Sequence, residues 1–357
     1  MPTVSVTDNY DALLSTTLRN ASTQFPDQIS SGNKLLYHLK KRKSGSGYKV
    51  TSDIGYQIAV PLMTGLGTAD SYSKYDQLDT TPVEGITTAF YDWRLASVPV
   101  TISGEEELKN SGENRLLNLL EAKKTQAMLT MEDYVGRAIL QGNGQAVAAQ
   151  IRTPKTSTAN GSVFIDPLPK LVDVDNDRSV AVGSINPVTA GNEFWRNVAV
   201  SHTGSTFVSI LKDIDNTWNS CSKGVGGSPD LCITEQQTFE EYAAALRVNQ
   251  RVMGWQKADL PWDALSLHGA ALVWDEFTPN GEGDTTTIST TAGTIWFLNT
   301  EFIEFRVASG RNFDTTPFVT PENQDAKTAL IRVMCSLTLS ARRKQGVLYG
   351  IDTTIVS

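Results

Sequence analysis

Asp173, Asp175 and Asp177 occupy alternate positions, the spacing with which a calcium-binding loop presents its first carboxylates to a hard cation. Such a loop needs glycine at its sixth place and a bidentate glutamate at its twelfth. Here those places hold Arg178 and Ser184. A cation would lack both the turn and the strongest ligand, so the run is read as a polar surface loop and no metal site is assigned. The three histidines, His38, His202 and His268, lie far apart, and none has a nucleophile or second ligand beside it in sequence. His268 precedes Gly269 between two apolar runs, which is a turn setting. Cys221, Cys232 and Cys335 are sparse, odd in number and without C-x-x-C spacing. They are read as reduced thiols of a cytosolic protein, with a bridge between Cys221 and Cys232 as the less favoured alternative.

Other motifs fail in the same way. The chain has no H-E-x-x-H, no P-loop and no G-x-S-x-G elbow. Gly65-Leu66-Gly67 and Gly224-Val225-Gly226-Gly227 lack the glycine spacing of a dinucleotide fingerprint, so both are read as loops. No catalytic residue, cofactor or cofactor-binding residue is assigned. Folding gathers distant residues, so a soluble α/β enzyme is carried as a third reading. Trp195, Trp218, Trp255, Trp262, Trp274 and Trp296 are most simply core or interface anchors. The run Lys40-Lys41-Arg42-Lys43 suits a nucleic acid or an acidic partner. The preferred reading is a solvated helix end, with cations at the negative end of the dipole.

The elements around these residues organise themselves about residues 103–142. Ser103 followed by Glu106 is a capping-box pattern, and Glu105, Glu106 and Glu107 suit the positive end of a helix dipole. A turn at residues 110–112 interrupts the helix. Beyond it Leu116, Leu120, Ala127, Met131, Val135 and Ala138 recur every three or four residues, which predicts a helix of roughly 40 Å ended by Gly142. It reads as a spine for packing.

Residues 1–47 form an arm with two short helices, one carrying Leu13, Leu14 and Leu18, the other Leu35, Leu36 and Leu39. Neither has an evident core to pack on. Residues 48–102 alternate as strands do at Tyr56, Ile58, Val60 and Leu62 and again at Val98, Val100 and Ile102. Between lies a polar, Gly-rich tip, so the whole is a long hairpin, a form that is marginal alone in water. Its aromatics Tyr72, Tyr75, Phe90, Tyr91 and Trp93 are uncovered unless a neighbouring subunit shields them or the hairpin folds back on its own domain. They are the candidate subunit-interface residues.

Residues 143–191 form a loose polar stretch, and 194–320 read as a compact α/β unit. Its helices are marked by Phe207, Ile210, Leu211, Ile214 and Trp218, and by Phe239, Tyr242 and Leu246 with Thr234 as cap. Its strands fall at 231–233, 265–268, 271–274, 295–298 and 302–307, with a turn at 280–283. The tail alternates Ile331, Val333, Cys335, Leu337 and Leu339 against polar neighbours, a strand with one covered face.

Composition sets the outer limits. The chain has 357 residues, enough for one large domain or two smaller ones, and 40% are hydrophobic, so it buries a core. A formal net charge of −8 argues against a dedicated nucleic-acid binder. No apolar stretch approaches a membrane span, and no signal peptide is evident.

Six phrases in order resemble the major capsid proteins of tailed bacteriophages with the Hong Kong 97-type fold. They are SGEEELKNSGENRLLNLLEAK, YDQLDTTPVEGITTAFYDW, NEFWRN, PDLCITEQQTFEEY, IWFLNTEFIEFR and QDAKTALIRVMCSLTLSARRKQGVLYGI. The resemblance implies an α+β fold with an N-terminal arm (1–47) and an extended E-loop (48–102). It implies a peripheral domain with the spine helix (103–197), an axial α/β domain (198–320) and a return strand of the peripheral domain (321–357). It implies a structural protein, not an enzyme, that forms hexamers and pentamers of an icosahedral shell. The shell would enclose double-stranded DNA, contacted weakly and without sequence preference, in a virion assembled in the host cytoplasm. Scaffolding, portal and decoration proteins are partners of the family, and a membrane is not. Some members link subunits through a lysine and an asparagine. Lys49 and Lys74 lie in the loop region, but no motif places such a pair. The alternative within the fold is an encapsulin-like shell around a protein cargo.

Overall fold

The computed structural model describes residues 34–41, 47–52, 54–65, 69–77, 81, 85–109, 119–140, 165–174, 181–202, 204, 207–224, 226–249, 265–275, 277–278, 292–322 and 324–352. The expected first arm helix, the break at 110–112, Asp175, Asp177, the turn at 280–283, Trp255 and Trp262 lie outside the described residues. In chain order the elements are α1 (Lys34–Lys41), β1 (Gly47–Thr51), β2 (Gln57–Met63), β3 (Ile86–Asp92), β4 (Arg94–Ser103), α2 (Gly104–Lys109), α3 (Leu119–Leu140) and α4 (Leu168–Leu171). There follow β5 (Val198–Ser201), α5 (Phe207–Ser222), β6 (Leu231–Thr234), α6 (Gln236–Asn249), β7 (Leu265–Leu267) and β8 (Ala270–Trp274). The last strands are β9 (Ala292–Leu298), β10 (Ile303–Ala308), β11 (Asp314–Thr315), β12 (Ala326–Leu339) and β13 (Gly346–Asp352). Among the described residues no helix is long and apolar enough to cross a membrane.

The chain divides into two compact units. The first comprises Met1–Gly32, Ala96–Tyr134 and Arg311–Val333, the second Asn33–Leu95, Val135–Gly310 and Met334–Ser357. In the first unit the capping box forms as the spacing predicts. The Ser103 N–H donates to Glu106 Oε2 and the Glu106 N–H donates to Ser103 Oγ, both at 3.2 Å. Lys123 of α3 then reaches back to Glu106 Oε2 at 2.5 Å and to the Thr101 carbonyl at 3.1 Å. One carboxylate thus starts α2 and fastens the spine helix to the end of β4. Ser103→Ala is expected to cost about 1 kcal/mol, read as a lower denaturation midpoint; an unmoved midpoint would mean that the reciprocal bonds contribute nothing. Along α3, Ala127, Met131, Val135, Ala138, Ile139 and Leu140 are buried, as the three-and-four spacing requires. Its 22 residues span about 33 Å.

The second unit holds a six-stranded sheet in the order β5-β13-β9-β6-β8-β7. α5 packs its Ile210, Ile214, Trp218 and Cys221 face onto Phe297 and Leu348 of that sheet. All four residues of β6 are buried, which fits a strand central to a covered sheet. Four expectations are corrected. Residues 302–307 do not continue this sheet: β10 pairs with β12 and, in parallel, with β1. The chain end does not stay with β12, because β13 inserts between β5 and β9 of the six-stranded sheet. Alternation reads a strand and one of its faces, but says nothing about which backbone it will pair with. Thr234 is no helix cap; it is the last residue of β6, and its hydroxyl donates to the Thr294 carbonyl at 2.9 Å. Finally, α1 needs no outside surface, since Leu35, Leu36 and Leu39 are buried in the chain itself. Its start is tied to Asp275 by the Lys34 N–H at 3.2 Å, while the Lys34 ammonium bonds the Trp274 carbonyl and lies over that indole.

In β12, Ile331, Val333, Cys335, Leu337 and Leu339 are all buried, as the alternation predicts. From Cys335 onward the opposite face, Ser336 and Thr338, is buried as well.

Candidate assembly surface

β2 and β3 form a two-stranded antiparallel ribbon with Met63 opposite Ile86, Val60 opposite Ala89 and Ile58 opposite Tyr91. Its two faces have different fates. Ile58, Val60, Leu62, Ala89 and Tyr91 point inward and are buried. Ala59, Pro61, Met63, Ile86 and Phe90 share the other face, because opposite residues in a ladder project to the same side. Met63 is 78% exposed, Ile86 79% and Phe90 43%.

The inner face is held by a closed ring of bonds in the second unit. Tyr91, 1% exposed, donates its phenol hydrogen to the Leu339 carbonyl at 2.9 Å. Burial pushes that phenol well above its ordinary pKa, with the bond to Leu339 acting the other way. The Phe90 N–H donates to the Gly183 carbonyl at 2.9 Å. Gly183 and Ser184 both have positive φ, 59° and 66°, and form the two-residue loop of a tight hairpin closed between Val182 and Ile185. A side chain at Gly183 would meet Ala89 at 2.8 Å and Tyr91 at 3.0 Å, so only glycine lets this turn lie on β3. The Trp195 indole N–H bonds the Val182 carbonyl at 2.9 Å, and Arg342 donates to the carbonyls of Trp195 at 3.3 Å and Leu171 at 2.7 Å. Arg342 follows Leu339 closely in the chain, which completes the ring. Two further side chains tie the segment after Arg342 to other loops of the second unit. Lys344 donates to the carbonyls of Lys223, Gly224 and Gly227 at 3.1–3.2 Å, and Gln345 exchanges two bonds with the Asn299 backbone.

The outer face is not built to add a strand at its edge. The Phe90 N–H points away from β2, so Ala59 and Phe90 are a non-hydrogen-bonded pair. Two residues on, Pro61 and Thr88 are such a pair too, which places the proline nitrogen on the open edge of β2 and removes a donor there. What the ribbon leaves open is therefore its apolar face. At the far end, the Ser73 N–H bonds Asp76 Oδ2 at 2.8 Å and closes a turn that displays Tyr72 and Tyr75, 70% and 98% exposed.

Of the five residues expected at an interface, Tyr72, Tyr75 and Phe90 lie on the uncovered side. Trp93 sits half-buried between β3 and β4, and among the described residues its indole N–H has no partner. Tyr91 departs from the expectation: the pleat turns it inward and its own subunit covers it. The alternation of β3 carried this signal, since Tyr91 shares the parity of Ala89 and lies opposite Ile58. Gly183, Arg342, Lys344 and Gln345 were not foreseen, because buried polar anchors have no periodicity to betray them.

Elsewhere each histidine faces an aspartate. His202 Nδ1 lies 2.7 Å from Asp213, His268 Nε2 2.6 Å from Asp215 and His38 Nε2 3.7 Å from Asp230. Burial raises the pKa of Asp230, but the nearby His38 and the bonds from the Thr300 hydroxyl and N–H outweigh it and hold the carboxyl below the usual range. Asp173 is buried and exchanges backbone bonds with the Asn197 amide. Among the described residues no group of three His, Cys, Asp or Glu is placed to hold a metal. The three cysteines are free and buried; burial pushes Cys221 and Cys335 up to about 12 and Cys232 well above its ordinary value.

Comparison with solved structures decides the fold. The chain superposes on the capsid protein of cyanophage A-1(L) with a TM-score of 0.62 at 10% identity, covering 93% of this chain and 96% of that one. The Hong Kong 97-type capsid fold is the fold of this chain. The capsid of the native GTA particle gives a TM-score of 0.56 at 10% identity over 93% and 94% of the two chains. The SrpI encapsulin of Synechococcus elongatus gives 0.56 at 10% identity over 96% of each. No protein-family model and no curated protein sequence matches the chain.

Proposed function

We propose that this chain is a major capsid protein of a tailed bacteriophage, a structural subunit and not an enzyme, which assembles as hexamers and pentamers into an icosahedral shell around double-stranded DNA. The observation that carries the reading is the ribbon's outer face. It is apolar, fixed at its base by the ring through Tyr91, Gly183, Trp195 and Arg342, and uncovered in the single chain. A rigid apolar face of this kind calls for a second copy to cover it. Each contact is modest, and closure over many copies makes the sum strong. With this reading go an arm over 1–47, an extended loop over 48–102, and peripheral and axial parts, with β10 and β13 following their observed sheets. The virion is the place of action, and scaffolding, portal or decoration proteins are candidate helpers.

A second reading shares the fold. The encapsulin gives a TM-score of 0.56 against 0.62 for the cyanophage capsid, so a shell around a protein guest fits the fold and stands behind the phage reading. Negative-stain microscopy of the purified protein, alone and with a scaffold, is expected to show closed particles or capsomers. A monomer at high concentration under both conditions would overturn the shell. Particles from native cells holding a protein guest and no DNA would select the second reading.

A further inference from the structure

We infer that the loop following α5, at residues 223, 224 and 226–228, binds a phosphate group through its outward backbone amides and the guanidinium of Arg343. The loop is built inside out. Four of its carbonyls turn inward. Those of Lys223, Gly224 and Gly227 accept from the single ammonium of Lys344 at 3.1–3.2 Å, and that of Gly226 accepts from the Asn299 side-chain amide at 3.0 Å. Lys344 and Asn299 are both buried. Positive φ at Gly224, Gly226 and Gly227, 83°, 112° and 73°, lets the backbone wrap the ammonium in this way. Because one atom reaches Gly224 and Gly227 together, the two ends of the loop are drawn close. In a planar trans peptide the N–H points opposite to the carbonyl before it, so the N–H groups of Gly224, Gly227 and Ser228 are turned to the outer side. These three residues are exposed, and among the described residues no acceptor takes the N–H of Gly227 or of Ser228. Successive N–H groups turned the same way make a seat for an anion.

Arg343 supplies the charge. One guanidinium nitrogen donates to the Lys223 carbonyl at 3.4 Å and lies 3.1 Å from the place a Cβ on Gly224 would take, which sets the side chain along the rim of the loop. Arg343 is exposed, and among the described residues no carboxylate pairs with it. Lys344 adds a second positive charge behind the loop. Burial first, and then Arg343, hold its pKa below the ordinary lysine value, so like charges crowd here. Asp230, the next acid along the chain, is turned away to Thr300 and His38. The negative end of α5 attracts cations too, but Lys344 already answers the carbonyls that follow the helix, and outward amides have no part in that. Amides on one side and a planar fork on the other suit an anion with several oxygens, which is a phosphate. The inference does not depend on the shell reading.

The test titrates the full chain, below the concentration at which particles appear, with inorganic phosphate at constant ionic strength, followed by phosphorus NMR and by backbone amide shifts. The amides of Gly227 and Ser228 are expected to shift to saturation. Arg343→Gln is expected to weaken binding about tenfold or more, the worth of one charge-assisted hydrogen bond, with an unchanged circular dichroism melt because the side chain is exposed. Lys212→Gln, exposed elsewhere, should bind as the parent does. A DNA duplex added to the same titration separates the sources of the group. Competition with phosphate that is lost in Arg343→Gln assigns the site to a phosphodiester backbone; binding of phosphate without competition assigns it to free phosphate or a small phosphoester. A parent that binds no phosphate up to about 20 mM, an Arg343→Gln chain that binds as the parent does, or shifts spread evenly over the exposed amides would each overturn the inference.

Discussion

Tyr91→Asp is expected to unfold the subunit before assembly is reached. The side chain is 1% exposed, packs against Gly183 and bonds the Leu339 carbonyl. Truncating a large aromatic in a core costs about 3–5 kcal/mol, and the buried carboxylate adds to that. At about 2–4 °C per kcal/mol for a domain of 150–250 residues, the melting midpoint should fall by roughly 10 °C or more. Tyr91→Phe separates the two contributions. It keeps the ring and leaves one buried carbonyl without its donor, so its cost should be about 1 kcal/mol. Circular dichroism melts of both variants give the result. A Tyr91→Asp chain that melts with the parent and merely fails to assemble would move Tyr91 to the subunit interface and break the ring described above.

That outcome also marks where reading the sequence stops. Periodicity found α3, α5, β2 and β12, because each buries one stripe or one face and the apolar residues repeat accordingly, and a short apolar run marked β6. The capping box at Ser103 and Glu106 was legible because its partners are three residues apart. Pairing was not legible. Nothing in Ile303–Ala308 distinguishes a neighbour of β12 from a neighbour of β9, and nothing in Gly346–Asp352 announces a return to the six-stranded sheet. The buried anchors were hidden for a different reason. Arg342 and Lys344 lie in a basic triplet that looks like a solvated patch, yet they are buried and saturate carbonyls of distant loops. Gly183 lies in a stretch that composition marks only as loose, although its positive φ and its contact with Tyr91 seat the ribbon. Phe90 and Tyr91 show the limit most plainly. They are adjacent aromatics with the same composition signal, and the pleat sends one to solvent and the other to the core.

The same pleat predicts that the opposite face can be charged without harm to the fold. Met63 and Ile86 face each other across the ribbon and are mostly exposed. Met63→Asp with Ile86→Asp therefore removes little burial from the single chain, and its melt should stay within about 1 kcal/mol of the parent per substitution, the cross-strand repulsion and the low strand propensity of Asp included. In the assembled state the balance reverses. Covering these two side chains contributes about 1.5–3 kcal/mol each, and two carboxylates side by side on that face would need desolvation and repel one another. A loss of about 3 kcal/mol per contact is more than a hundredfold in its association constant. Because every copy in a shell makes the contact, particle yield at concentrations that suffice for the parent should fall to background. Size-exclusion chromatography and negative-stain images read that yield, and circular dichroism reads the fold. Normal particles from the double variant would show that the outer face is not an assembly surface, whereas a collapsed melt would show that the single chain itself relies on it. The double variant thus complements Tyr91→Asp: the two act on opposite faces of one ribbon, one on the fold and the other on association.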